Sequence, residues 1–344
     1  MVSAPPVRPV RPSVAAALLA LVLTVLGVLR RRRRKPVGGR APDLVVHTED
    51  GVPLAVEEDG DPSAPLTVVF VHGFTAQLGE FDLQREALRG SARLVLYDQR
   101  GHGRSGWGAV DRATIDQCGR DLATVIEQRV PTGPIVLVGH SLGGMTVMAL
   151  ADQRPELFGP RVVGVCLLAT SAGQVVESAL GRFGSALLLR TGLFRVYLWW
   201  LRLVAPLLER FRVRGSRAAY LFTRHYLFGT TDATPELVRE VQSMLEETPV
   251  PIVAAFYPAF VGHDKLDALA AMRDIPVLVA VGSDDRLTPA AHSQVIVEHL
   301  GADVEHLVVP GAGHSVNFTY PDRINAALLR LLERSGRGSL ANSA

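Results

Sequence analysis

Five short runs of this 344-residue chain are apolar almost throughout: residues 66–71, 92–97, 135–138, 162–168 and 276–281. A strand with one face in water alternates apolar and polar side chains, so runs without alternation belong to strands covered on both faces. Between them lie stretches with helical spacing, at 114–129, 142–153, 290–300 and 321–335. Strand and helix in alternation predict an α/β fold, a mainly parallel sheet covered by helices on both faces. Residues 304–309 read as a last strand, and 44–47 with 52–58, either side of Asp50-Gly51, read as a leading hairpin. Pro53 cannot donate to a ladder, so the second of these segments is expected at a sheet edge.

Two stretches break the rhythm. Residues 174–272 hold no clear strand and are rich in Leu, Arg and aromatic residues, although buried strands flank them. An insertion at the carboxyl end of the sheet accounts for this, and ligands bind at that end in open α/β sheets, so a helical cap or lid is expected here. The other stretch is the N-terminus. Residues 14–29 carry no charge and are followed at once by six cations, Arg30 to Lys35. At ~1.5 Å per residue the run spans roughly 24 Å, short of a ~30 Å hydrocarbon core unless the flanking arginines snorkel. A cleaved signal peptide competes with this reading, but cations stand where small residues should mark a cleavage site. A surface-lying helix competes too, but no polar stripe interrupts the run. A single membrane anchor over residues 1–35 fits best. Two basic residues precede the run and six follow it, which places the body on the cytoplasmic side. Gly/Pro-rich residues 36–43 form a linker, 44–173 and 273–335 the two parts of the core, and 336–344 a flexible tail.

The formal charge of +2 averages unlike pieces. Nine of the 36 basic residues fall in residues 1–40, where there is no acid, leaving 27 against 34 acids in the body. A body at −7 disfavours nucleic acid as a partner. Two cysteines, Cys118 and Cys166, are too few for a disulfide framework or a cysteine-based zinc site. No HExxH motif or carboxylate cluster suggests a metal, and no GxGxxG or P-loop suggests a nucleotide cofactor.

The chemistry concentrates in Gly139-His140-Ser141-Leu142-Gly143, between an apolar run and a helical stretch. A serine hydroxyl is a weak nucleophile, and a sharp strand-to-helix turn presents it clear of its neighbours, with glycines where backbone crowds. Such a serine needs a base and an acid that orients the base. Asp285 follows one apolar run within Gly282-Ser283-Asp284-Asp285-Arg286-Leu287-Thr288-Pro289, and His314 follows the next within Pro310-Gly311-Ala312-Gly313-His314. The remaining histidines lack this placement.

With these motifs in place, the body from about residue 43 to 334 resembles the α/β-hydrolase family, in its capped form. The order Ser141, Asp285, His314 is that of the family's triad, and the spacing from Gly282 to Pro289 selects Asp285 over Asp284. His72-Gly73-Phe74-Thr75 is similar to the family's oxyanion loop. The resemblance implies that the backbone N–H groups of Phe74 and Leu142 hold the oxyanion. Residues 98–105, Asp-Gln-Arg-Gly-His-Gly-Arg-Ser, are similar to a loop that is structural in the family, which leaves His102 outside catalysis. The implied activity is hydrolysis of a carboxylic ester through an acyl-enzyme, without cofactor or metal, on a small-molecule or lipid ester. Perhydrolases and carbon–carbon bond hydrolases share this elbow, and a non-catalytic ligand binder on the same fold is the third reading. Within the insertion, residues 187–211 read as an arginine-striped apolar helix. Such a helix packs on the body, lines an acyl pocket over Ser141, or touches the membrane interface with Trp199 and Trp200.

Overall fold

The computed structural model describes residues 44–173, 193–230, 233–301 and 304–341. Eight strands form one sheet: β1 (Leu44–His47), β2 (Pro53–Gly60), β3 (Thr67–Val71), β4 (Arg93–Tyr97), β5 (Ile135–His140), β6 (Val162–Leu168), β7 (Val277–Gly282) and β8 (Val304–Val309). Their order across the sheet is β1-β2-β4-β3-β5-β6-β7-β8. All neighbours from β4 to β8 are parallel, and β1 and β2 enter as an antiparallel hairpin. The strand with Pro53 is not at the edge, as expected from the sequence, but second from it. Pro53 is the first residue of β2, opposite His47, and a strand's first position tolerates a missing donor.

The strands alternate strictly between two cores. Val69, Val71, Ile135, Leu137, Val165 and Leu167 face one, against α2 (Ile115–Arg129), α3 (Leu142–Gln153) and α8 (Ala290–Leu300). Val68, Phe70, Val136, Val138, Cys166 and Leu168 face the other, against α1 (Asp82–Leu88) and α10 (Pro321–Ala341). Burial on both sides is why these strands read as unbroken apolar runs. α10 passes residue 335, where the tail was expected to begin, and continues to Ala341. The buried contacts of Ile324 to Leu332 and of Ser335 hold the helix on the sheet.

Between β6 and β7 the described chain is helical. α4 (Leu193–Phe211), α5 (Arg217–Leu227), α6 (Pro235–Leu245) and α7 (Val250–Val261) follow one another. Ser216 and Thr234 cap α5 and α6, accepting the N–H groups of Ala219 and Leu237. α4 buries Leu201 and Ala205 against Val250 and Ala254 of α7. At its base the insertion is pinched by a bridge between Gly173 and Asp264, where the Lys265 N–H donates to the Ala172 carbonyl at 2.6 Å. Residues 174–192, the first part of the expected cap, lie outside the described residues, as does the expected anchor over residues 1–35. Among the described residues no helix is long and apolar enough to cross a membrane.

Candidate active site

The sheet order reverses at β3: the chain steps outward from β3 to β4, then returns to β5 and runs the other way. Such a switch point opens a crevice at the carboxyl ends of the two central strands, the place where open α/β sheets bind ligands. Here Val71 of β3 lies opposite Gly139 of β5, so the loop from His72 to Thr75 and Ser141 emerge side by side.

Ser141 has φ 51° and ψ −115°, a conformation that costs a non-glycine residue of order 1–3 kcal/mol. Tight packing on both sides holds it there. A Cβ on Gly143 would come within 1.8 Å of the Val71 carbonyl oxygen, so α3 starts directly against the end of β3. The Ser141 N–H donates to the Leu168 carbonyl, and its own carbonyl accepts from the Thr170 hydroxyl at 2.7 Å. The strand-turn-helix elbow expected from the sequence is therefore present, with the helix N-terminus behind the serine.

Asp285 and His314 sit in the loops after β7 and β8 at the same end of the sheet. His314 Nδ1 is 2.8 Å from Asp285 Oδ2, and both side chains are almost wholly buried. The other oxygen of Asp285 accepts the N–H groups of Leu287 and Thr288 at 2.8 and 2.9 Å. The Thr288 hydroxyl donates to Oδ2 at 2.9 Å, completing a fixed seat for the carboxylate. Its neighbour Asp284 faces elsewhere and accepts from the Thr230 hydroxyl on the α5–α6 connection at 2.5 Å. The capping segment also touches the other site loops: Ser315 N–H donates to the Leu227 carbonyl, and the Thr248 hydroxyl to the Thr75 carbonyl.

Two residues that sequence reasoning did not single out lie under these loops. Glu80 is buried, accepts the Gly73 N–H at 2.7 Å and lies 3.0 Å from His140 Nδ1. His140 directly precedes Ser141, so its position was visible in the motif. Nothing local in the sequence marks Glu80, which stands between Gly79 and Phe81. The loop at 98–105 is a scaffold: Asp98 accepts the N–H groups of Leu78 and Arg104, each at 2.8 Å, and Arg100 is buried between Asp121 and Asp50. His102 is enclosed by His72, Phe74 and Phe256, and burial pushes its pKa down to about 3, with His72 adding to the effect. It is a neutral ring in this scaffold.

Sheet order, elbow and capped crevice together define the α/β-hydrolase class. The sequence pattern of the alpha/beta hydrolase family matches residues 68–327, and the chain belongs to this family. It is 27% identical over 275 residues to the monoacylglycerol lipase of Mycolicibacterium smegmatis, a match covering 77% of this chain and 85% of that protein. It is 25% identical over 288 residues to 3-oxoadipate enol-lactonase 2 of Acinetobacter baylyi, covering 83% and 96%. Among solved structures, a thermophilic esterase from Thermogutta terrifontis superposes with a TM-score of 0.65 at 24% identity, over 85% of this chain and 98% of that one.

Proposed function

We propose that the chain is a serine hydrolase of carboxylic esters, with Ser141 as nucleophile, His314 as general base and acid, and Asp285 as the group that orients the base. The observation that carries this reading is the strained Ser141 elbow beside a buried Asp285–His314 pair 2.8 Å apart, at one end of the sheet. His314 Nδ1 lies against a carboxylate, which favours the tautomer with the proton on Nδ1 and a bare Nε2. Nε2 takes the Ser141 proton as its oxygen attacks the ester carbonyl, and Asp285 stabilises the imidazolium that results. Backbone N–H groups of Phe74 and Leu142 receive the oxyanion, where loss of one donor costs ~2.7–4 kcal/mol in comparable sites. His314 returns its proton to the departing alcohol, then activates water to release the acid.

The substrate we infer is a lipid-like acyl ester. Support comes from the name of the mycobacterial relative, a monoacylglycerol lipase, and from the outer face of α4. There Val196, Trp199, Trp200, Leu203, Leu207 and Phe211 form one exposed apolar ridge, with Trp199 64% exposed. These side chains face outward, so they wall no acyl pocket. Their fit is to a bilayer surface, where tryptophans favour the headgroup level. An anchor over residues 1–35, with the body on the cytoplasmic side, would hold that ridge beside the lipid.

A serine-directed fluorophosphonate probe tests the chemistry. Ser141→Ala is expected to lose both turnover and labelling while keeping its fold, and labelling that persists in this variant would overturn the reading. An ester series tests the substrate: a lipid-ester site gains roughly 0.8 kcal/mol for each acyl methylene it buries, so on this reading octanoyl esters should exceed acetyl esters in kcat/KM. Equal or better activity on acetyl esters would favour a small-ester or perhydrolase reaction.

A further inference from the structure

We propose that Glu80 and His140 form a positioning pair that holds the oxyanion loop in register with the backbone of His314. The inference rests on the proposed roles of Ser141 and His314 and deepens them.

Glu80 carries its carboxylate into a wholly buried place, and its two oxygens are used differently. Oε2 accepts the Gly73 N–H at 2.7 Å, and Oε1 lies 3.0 Å from His140 Nδ1. On the far side of the ring, His140 Nε2 is 3.1 Å from the His314 carbonyl oxygen. One ring nitrogen meets the His314 carbonyl and the other lies at ion-pair distance from Oε1, out of line for a hydrogen bond, an arrangement that favours a protonated His140. Burial alone would lower the His140 pKa, but the Glu80 charge beside it holds it above its ordinary value. Burial likewise pushes the Glu80 carboxyl up, and His140, with smaller help from His72 and the Gly73 N–H, more than offsets this and holds it down. The other titratable groups facing the pair are His72, which accepts the Gln99 N–H on Nε2 at 2.8 Å, Asp285, and His314, whose ring centroid lies 4.9 Å from that of His140.

A buried ion pair is a weak device for stability, since well-packed apolar side chains of similar volume often serve as well. Its location is what this pair offers. One end grips the amide of Gly73, the residue before Phe74, and the other end grips the backbone of His314. His140 itself is the residue before Ser141. The loop backbone also rests on the ring: a Cβ on Gly73 would come within 2.8 Å of His140 Nδ1, so this position accepts only glycine. Asn317, three residues past His314, donates to the Glu80 carbonyl at 3.0 Å and closes the frame from below. Oxyanion loop, elbow and base loop thus meet on a single ion pair. A shift of about 1 Å among such groups costs on the order of a hundredfold in rate.

The test uses the full chain, p-nitrophenyl butyrate as substrate and phenylboronic acid as a tetrahedral mimic. Glu80→Gln keeps the shape and an acceptor for Gly73 but removes the charge. It is expected to lower kcat by about tenfold to a hundredfold with KM within about threefold, and to weaken the boronic acid by a similar factor. A kcat within about twofold of the parent, with or without a fall in thermal stability, would show a merely structural pair and overturn the inference. Should Glu80→Gln not fold, 15N spectra of the histidines in the parent chain decide: His140 doubly protonated at pH 7 is the expected result, and a neutral His140 at that pH overturns it. Ser141→Ala serves as the control. If Ser141→Ala stays active, the nucleophile reading is what fails; if it is dead while Glu80→Gln is unimpaired, only the present inference fails.

Discussion

Asp284 and Asp285 are adjacent carboxylates with different surroundings. Asp285 is buried, seated by two backbone amides and the Thr288 hydroxyl, and faces His314. Asp284 is half-buried and holds Thr230 of the capping segment. Asp285→Asn is therefore expected to cut kcat by about four orders of magnitude, because an amide favours the wrong tautomer of the base. Asp284→Asn should change kcat by less than about tenfold, as expected of a surface contact. Steady-state kinetics on both variants check this, and the reverse order of effects would mean that the acid has been misassigned. At this scale the sequence was informative wherever chemistry follows from order along the chain. Ser141, Asp285 and His314 each follow an apolar run, and the structure brings all three to one end of the sheet. Glu80 escaped notice because its meaning is long-range: its partners are Gly73, sequentially near, and His140, sixty residues away.

Elements were legible where an apolar pattern was unbroken or a helical period was long enough to count. β6 and α3, buried almost throughout, fall on the expected residues, as do α8 and the half-exposed strands β1 and β8 at the two edges of the sheet. α1 and the one-turn helix α9 (Val316–Thr319) were not anticipated, being too short for a period to register. Edge position was misjudged for β2, because a single proline speaks for its own residue and not for the whole strand. α4 shows the other limit of a sequence pattern. Its composition is apolar nearly all round, which left packing, pocket and membrane contact open, and only the structure separates the side on α7 from the outward ridge. Trp199→Ser with Trp200→Ser is expected to leave hydrolysis of soluble p-nitrophenyl butyrate within about twofold, as surface substitutions should. The same variant should lose severalfold or more in apparent affinity for long-chain monoacylglycerol presented in anionic vesicles. Equal loss on both substrates would mean that the tryptophans act on the site and not on lipid.

For the whole molecule, the proposed anchor and the catalytic body are separable in sequence, since no site motif lies before His72. Removing residues 1–35 is expected to release the protein from membranes while leaving kcat on a soluble ester unchanged. The intact chain should stay with membranes in high salt, because salt screens an electrostatic contact but not an inserted helix. An intact chain found wholly in the soluble fraction would refute the anchor. The pinch between Gly173 and Asp264 has a different bearing, on how such a chain changes over time. β6 and β7 pair as immediate neighbours although an excursion of roughly ninety residues separates the two sides of the bridge. Closing a flexible excursion costs only about 0.6 kcal/mol more for each doubling of its length. Ancestral and future versions of this protein could therefore exchange the whole excursion for one half or twice as long with little penalty to the sheet beneath. What a lineage acts upon would then be rewritten by insertion and deletion at one doorway, while the reacting groups stay where they are.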